Sequence, residues 1–180
     1  MTPRLLPLLA LLGLNTFAQA APIHDDARQG NLPAVRALLQ QDPKQVNAVT
    51  SDRMVMTPLH FAAQFGQVEM VKFLLAQGAD VHARDGNRAT PLFRAALRGQ
   101  TACAELLIRA GADVNAEGNE NIRPLHLAAM MGHTDTVKLL LAHGARTDVK
   151  DSTGTTPWEF APTPALKDLL KIAGPDTPRP

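Results

Sequence analysis

The chain predicts an all-α solenoid: helix-turn-helix units stacked in a row and joined by hairpin-like turns. Three observations lead there. Hydrophobic residues make up 45% of the 180 positions and aromatic ones only 4%, with six Phe, one Trp and no Tyr. Any core must therefore come from Leu, Ala, Val, Ile and Met, a composition that suits closely packed helices. Pro58, Pro91, Pro124 and Pro157 stand in equivalent settings, each 33 residues from the next. Two glycine series, Gly66, Gly99, Gly132 and Gly78, Gly111, Gly144, run at the same spacing of 33.

Residues 1–20 read as a secretory signal peptide. Arg4 gives a positive start, residues 5–14 form an apolar run interrupted by Pro7 and Gly13, and Ala18-Gln19-Ala20 offers a small-x-small cleavage site. The run is about half of the roughly 20 apolar residues a bilayer-crossing helix needs. Cleavage after Ala20 would leave Ala21 at the N-terminus with no cysteine to take a lipid, so the expected mature chain is soluble and not inserted in a membrane.

An irregular first copy of the repeat opens at Ala21-Pro22-Ile23-His24, passes through Gly30 and ends at Val46-Asn47, with three extra residues before Thr57. Its frame gives an N-terminal cap at 21–53, three inner repeats at 54–87, 88–120 and 121–153, a shortened C-terminal cap at 154–173, and a disordered tail at 174–180. Within an inner copy, Thr57-Pro58, Thr90-Pro91 or Thr156-Pro157 places an N-cap before a first-turn proline. The helix that follows carries Ala62-Ala63, Ala95-Ala96 or Ala128-Ala129, small enough for a neighbour to approach, and stops at the first glycine. A second helix has apolar residues at helical spacing, as in Val71, Leu74, Leu75 or Val137, Leu140, Leu141, and stops at the second glycine. Arg84-Asp85-Gly86-Asn87 and Asp151-Ser152-Thr153-Gly154 read as the linking turns. In the first copy Asp25 and Asp26 are expected to give a polar outer face. In the last, Leu166, Leu169, Leu170 and Ile172 are expected to close the apolar end.

The period, the Thr-Pro-Leu-His tetrapeptides, the double alanines, and Gly78-Ala79-Asp80 with Gly111-Ala112-Asp113-Val114-Asn115 resemble the ankyrin repeat family over residues 21–173. The resemblance implies a stack in which each repeat stabilises its neighbours and which builds a concave surface but no central cavity. It further implies a non-enzymatic, protein-binding role.

Net charge is +1, from 18 basic and 17 acidic residues, which does not suggest nucleic-acid attraction. The single cysteine, Cys103, makes neither an internal disulfide nor a cysteine-based zinc site. It falls where Met70 and Thr136 stand in other repeats, so a partly buried, inert thiol is expected. His24, His60 and His126 share one place in the tetrapeptide, taken by Phe93 and Glu159 elsewhere, which predicts packing and hydrogen bonding instead of metal binding. His82, His133 and His143 fall at turns or helix ends without a three-ligand pattern, and Ser51 and Ser152 lack the setting of a hydrolase nucleophile. Neither common phosphate-binding glycine motif is present. No catalytic residue, cofactor or metal is expected.

The resemblance places partner contacts on the turn tips and on the two residues before the first glycine: Gln64-Phe65, Leu97-Arg98 and Met130-Met131. Arg53 and the flexible apolar stretch Met54-Val55-Met56 are expected on the same side, with Arg84, Asn87, Glu120 and Ile122 from the later turns. Two placements stay open for Phe65, Leu97 and Met130: half-buried between helices, or in contact with a partner. Arg53, Arg84, Arg88 and Arg98 gather toward the middle repeats, as a solvated rim or as a guide for an acidic partner. Arg88 and Asn121 stand where Gly154 stands in the last turn, so the Arg88 turn is expected to be strained.

The expected function is a monomeric, exported scaffold of the bacterial envelope, periplasmic or secreted, that binds or inhibits an unidentified partner protein such as a periplasmic enzyme or a toxin. The alternative is an exported metal-handling or catalytic protein using turn residues such as Asp52, Asp85, His82 or Glu117.

Overall fold

The computed structural model describes residues 23–172. The expected leader and tail lie outside the described residues. Among these residues the regular elements are ten α-helices and two short 3-10 segments. The helices are α1 (Ile23–Gln29), α2 (Leu32–Gln41), α3 (Pro58–Gln64), α4 (Val68–Ala76), α5 (Pro91–Leu97), α6 (Thr101–Arg109), α7 (Pro124–Met130), α8 (Thr134–Ala142), α9 (Pro157–Phe160) and α10 (Pro164–Ile172). The odd-numbered helices pack side by side in one row, α4, α6 and α8 pack in a second, and each odd helix pairs with the next even one. The fold is the expected all-α solenoid.

Local chemistry sets the helix ends. The Thr57 hydroxyl accepts the His60 N–H at 3.4 Å and the Thr90 hydroxyl accepts the Phe93 N–H at 3.3 Å, each satisfying a donor that the first turn leaves unpaired. His60 Nδ1 reciprocates by accepting the Thr57 N–H at 3.2 Å. In α7 Arg123 replaces the threonine, and His126 Nδ1 alone receives its N–H, also at 3.2 Å. At the ends of α4, α6 and α8, the Ala79, Ala112 and Ala145 N–H groups bond back to Leu74, Leu107 and Leu140 carbonyls, each at 2.9 Å. That closure requires a left-handed residue just before it, supplied by Gly78, Gly111 and Gly144 at φ of 84°, 95° and 85°.

The core lies between the rows and repeats with the period. Leu59, Leu92 and Leu125 are buried, as are both alanines of every pair and the series Val71, Ala104, Val137 and Leu74, Leu107, Leu140. Ala62, Ala95 and Ala128 present no side chain beyond Cβ, so first helices meet almost backbone to backbone. Leu166 and Leu170 continue the buried series in α10. Two expectations need correction. Cys103 is fully buried instead of partly so, and loss of hydration pushes its thiol pKa up to about 11. Asp26 does not face solvent: it is buried, and its Oδ1 accepts Asn31 Nδ2 at 2.9 Å, which ties the end of α1 to the start of α2. Asp25 is the half-exposed member, paired with Arg28 at 3.5 Å.

Each linking turn has a residue at positive φ in the same frame, Val55 at 49°, Arg88 at 58°, Asn121 at 57° and Gly154 at 87°, and the third turn adds Glu120 at 57°. The strain expected at Arg88 is therefore present, and it is accompanied by a worse case at Val55, whose branched Cβ crowds its own carbonyl. A left-handed L-residue costs about 1–2 kcal/mol, against about 0.5–1 kcal/mol of extra unfolded-state entropy for glycine. Val55→Gly should raise Tm by about 2–4 °C and Arg88→Gly by less, measured by circular dichroism. A fall in Tm for Val55→Gly would show that the side chain contributes more than the strain removes.

Candidate protein-docking face

The linking turns are stitched to one another. Gly86 N–H bonds to the Met54 carbonyl at 2.6 Å, Asn119 N–H to Asn87 at 3.1 Å, and Ser152 N–H to Glu120 at 2.8 Å. This continuous run of backbone bonds holds four successive tips in register. Inside three of the tips an aspartate organises the loop. Asp52 Oδ1 accepts from the Thr50 hydroxyl and the Met54 and Val55 N–H groups. Asp85 Oδ1 accepts from the Asn87 and Ala89 N–H groups, and Asp151 Oδ1 from the Thr153 and Thr155 N–H groups and the Thr153 hydroxyl. The Thr50 hydroxyl bond, helped by the Met54 and Val55 N–H groups and by nearby His24, holds Asp52 below the usual carboxylate range. Thr153, Thr155 and nearby His126 do the same for Asp151, in that order.

The third tip departs from this scheme, and its neighbour departs with it. Gly118 takes the aspartate's place, and a Cβ there would come within 2.8 Å of the Phe93 ring. Phe93 in turn takes the place of His60 and His126, which neighbour Asp85 and Asp151. Where the helix offers histidine, the next tip offers aspartate; where it offers an aromatic ring, the tip is bare. His60 Nε2 also bonds to the Ala89 carbonyl at 3.0 Å, joining its repeat to the next, while His24 Nε2 bonds to the Ala48 carbonyl at 2.9 Å within the first repeat.

Arg94 stands where other repeats carry Phe61 and Leu127. Its Nε donates to Asp85 Oδ2 at 2.7 Å and its terminal nitrogen closes a second bond to the same oxygen. The Asp85 side chain is fully buried and that of Arg94 nearly so. Nothing in the tetrapeptide pattern announced this pair; the apolar-to-arginine exchange at position 94 was its only trace. In the next repeat the Arg123 guanidinium pairs with Glu117.

The expected contact residues divide into two groups. Phe65, Arg98 and Met131 are the C-cap residues of α3, α5 and α7, so they form one row across the stack. Phe65, Met130 and Met131 are 43%, 40% and 49% exposed, while Leu97 and Gln64 are half-buried. Arg28 lies over the Phe65 ring, 5.9 Å from its centroid. On the tips Arg53, Asn87, Arg88 and Glu120 are exposed, and Met54 and Ile122 are half-buried, with Met54 sulfur against the Asn87 amide. Met56 is not on this surface. Its side chain is 4% exposed, because the following threonine begins α3 and turns position 56 into the interior, as it does Ala89 in the next repeat. Arg84 is exposed but committed: its terminal nitrogen bridges the Arg88 and Glu117 carbonyls, bracing two tips. The turn carboxylates of the alternative reading are occupied by the bonds described, and exposed His82 sits where Asn47 and Asn115 clamp the next repeat. Among the described residues no group of three or more His, Cys, Asp or Glu is placed to hold a metal ion, and no helix is long and apolar enough to cross a membrane.

A family model described as ankyrin repeats (3 copies) matches residues 8–85 and 75–151. The chain belongs to the ankyrin repeat family. Similar curated proteins include human ankyrin repeat domain-containing protein 49, 47% identical over 57 residues that cover 32% of this chain and 23% of that protein. The Arabidopsis thaliana serine/threonine-protein kinase VIK is 48% identical over 59 residues, covering 33% of this chain and 13% of the kinase. The Caenorhabditis elegans homolog of transient receptor potential cation channel subfamily A member 1 is 46% identical over 57 residues, 32% of this chain and 4% of that protein. The matches thus span less than a quarter of these relatives. Ankyrin repeats are generally non-catalytic modules for protein-protein interaction.

Two predictions follow from the buried polar groups. Arg94→Leu should cost about 3 kcal/mol in denaturant melts by leaving Asp85 buried without its cation, and adding Asp85→Gly, which restores the pattern of the Gly118 tip, should recover part of it. A double variant no more stable than the single would sink that account. Burial pushes the His60 and His126 pKa values down, so the folded chain keeps both rings neutral. The unfolded chain takes up protons as pH falls through about 6.5, while the folded chain takes them up only at lower pH, so stability is full above that value and declines below it. His60→Gln should show a smaller decline across that window, and an equal one would assign the pH dependence to other groups.

Proposed function

We propose that this protein is an exported ankyrin scaffold of the bacterial cell envelope that binds, and by binding holds or inhibits, another protein on its concave face. The observation that carries this reading is the exposed apolar row at the ends of the first helices, Phe65, Met130 and Met131, set on an interlocked framework of turn tips. Isolated exposed apolar residues are ordinary on a protein surface; three brought onto one edge by a repeating frame are the mark of a contact surface. The framework is rigid before any partner arrives, so little ordering cost falls on association. Export is supported by Arg4, the apolar run at 5–14 and Ala18-Gln19-Ala20. A periplasmic enzyme or a toxin is the kind of client such a location supplies, and the scaffold acts as a monomer.

Capture from envelope extract, comparing wild type with Phe65→Ala/Met130→Ala/Met131→Ala, tests the face, with N-terminal sequencing of the secreted or periplasmic form as a companion measurement. The expected result is a mature chain beginning at Ala21 and loss of client from the triple variant at unchanged Tm. Equal recovery by both proteins would place recognition elsewhere, and retention of residues 1–20 in a cytoplasmic fraction would overturn the location.

A further inference from the structure

The middle repeat presents cations that the rest of the molecule leaves unused. Of the arginines near the docking face, Arg94 is neutralised by Asp85, Arg123 by Glu117 and Arg28 by Asp25, while Arg84 is spent on backbone carbonyls. Among the described residues Arg53, Arg88 and Arg98 are exposed and make no ion pair or side-chain hydrogen bond. The acids are more fully engaged: Asp85 and Glu117 are paired with arginines, and Asp52 and Asp151 turn their Oδ1 atoms onto loop N–H groups, although Asp52 keeps its charge, exposed next to Arg53. Glu120, on the third tip, is the remaining exposed carboxylate of the turn row that enters no side-chain bond among the described residues.

Position gives these charges a shape. Arg88 lies on the tip before α5 and Arg98 caps its far end, so the seven-residue helix, roughly 10 Å long, and the entry residues Ala89 and Thr90 stand between them. On either side of Arg98 in the helix-end row stand Phe65 and Met131, one helix-to-helix distance away, roughly 8–10 Å. The result is a cation, Arg98, with apolar side chains on both flanks of the helix-end row, and a second, Arg88, on the tip of the same repeat.

We propose that the partner presents an acidic segment to this face: carboxylates that sit over Arg88 and Arg98, with apolar residues within a few positions on each side to cover Phe65 and Met130-Met131. The inference rests on the docking reading above and specifies the chemistry of what docks. Arginine suits the role because its planar fork pairs with a carboxylate through two bonds and stacks on neighbouring apolar surface. Basic segments are disfavoured, since Arg88 and Arg98, neither of them ion-paired, would repel them. Glu120 sets the boundary: the segment's acidic residues lie on the Arg53 side of the third tip.

A random-peptide phage library selected against the immobilised full mature chain tests this. The most enriched peptide is then synthesised and its binding measured by calorimetry at low and high salt. The expected pool is rich in Asp and Glu flanked by Leu, Ile, Phe or Met, and the chosen peptide should lose about tenfold or more in affinity against Arg88→Gln/Arg98→Gln. High salt should weaken it as well, and Glu120→Gln should bind it at least as well as wild type. Both arginines are exposed, so thermal melts of the double variant should match wild type and separate lost binding from lost fold. A neutral or basic pool, or binding indifferent to Arg88→Gln/Arg98→Gln yet abolished by Phe65→Ala/Met130→Ala/Met131→Ala, would overturn the acidic partner and leave the docking face standing. Binding indifferent to both variants would overturn both readings, and no enrichment over blank resin would exclude an acidic segment as the occupant.

Discussion

Close contact between neighbouring first helices is the constraint on which the molecule depends. Ala62-Ala63, Ala95-Ala96 and Ala128-Ala129 are all buried, and any larger side chain there would push adjacent repeats apart. One helix pair leaves apolar surface on both sides, so its stability is borrowed from the pairs next to it. The separation that the alanines permit is also the separation at which tip N–H groups reach the carbonyls of the preceding tip. Helix packing and the bonded tips are therefore one arrangement seen from two ends. The proposed docking surface inherits its geometry from that arrangement and not from any loop able to choose its own shape.

What could be read from the sequence was whatever is settled within one period. Proline after threonine, paired alanines and glycine at each helix end answer local demands of backbone hydrogen bonding, and they recur because the demands recur. The place of Phe65, Met130 and Met131 at a helix end was legible for the same reason; the exposure of Phe65 and Met130 was not, because the frame fixes a position and not how far the neighbouring repeat covers it. The misplacements arose where two distant segments meet. Met56 was grouped with Val55 because the three extra residues before Thr57 obscured where the loop ends and the helix entry begins. Arg84 was counted as a free surface cation because its two carbonyl partners lie on different tips. The pair of Asp85 with Arg94 was hidden by a spacing that belongs to no named motif, and the positive φ of Val55 was hidden by a residue type that avoids that conformation.

The buried charges and rings of the tips show how a repetitive scaffold carries local exceptions. Arg94 places a cation where neighbouring repeats have apolar residues, and its pair with Asp85 is tolerated because Asp85 also satisfies two loop N–H groups. Burying both partners gains little by itself; removing one is what costs. Such exceptions cluster around α5, the same helix whose ends bear the unpaired arginines. The middle of the stack is thus where the chain departs furthest from its own average.

The exchange of histidine and aspartate for Phe93 and Gly118 has a bearing on how this chain can be cut and rejoined. Deleting one whole period between α5 and α7 would leave every helix in phase, so the backbone would raise no objection. Yet it would set an aromatic ring against the carboxylate of Asp151, which has lost the imidazole beside it. Joining α3 directly to the bare tip would strand His60 in the same way. The units therefore carry an order written into their contacts: they can be counted like beads, but they cannot be restrung.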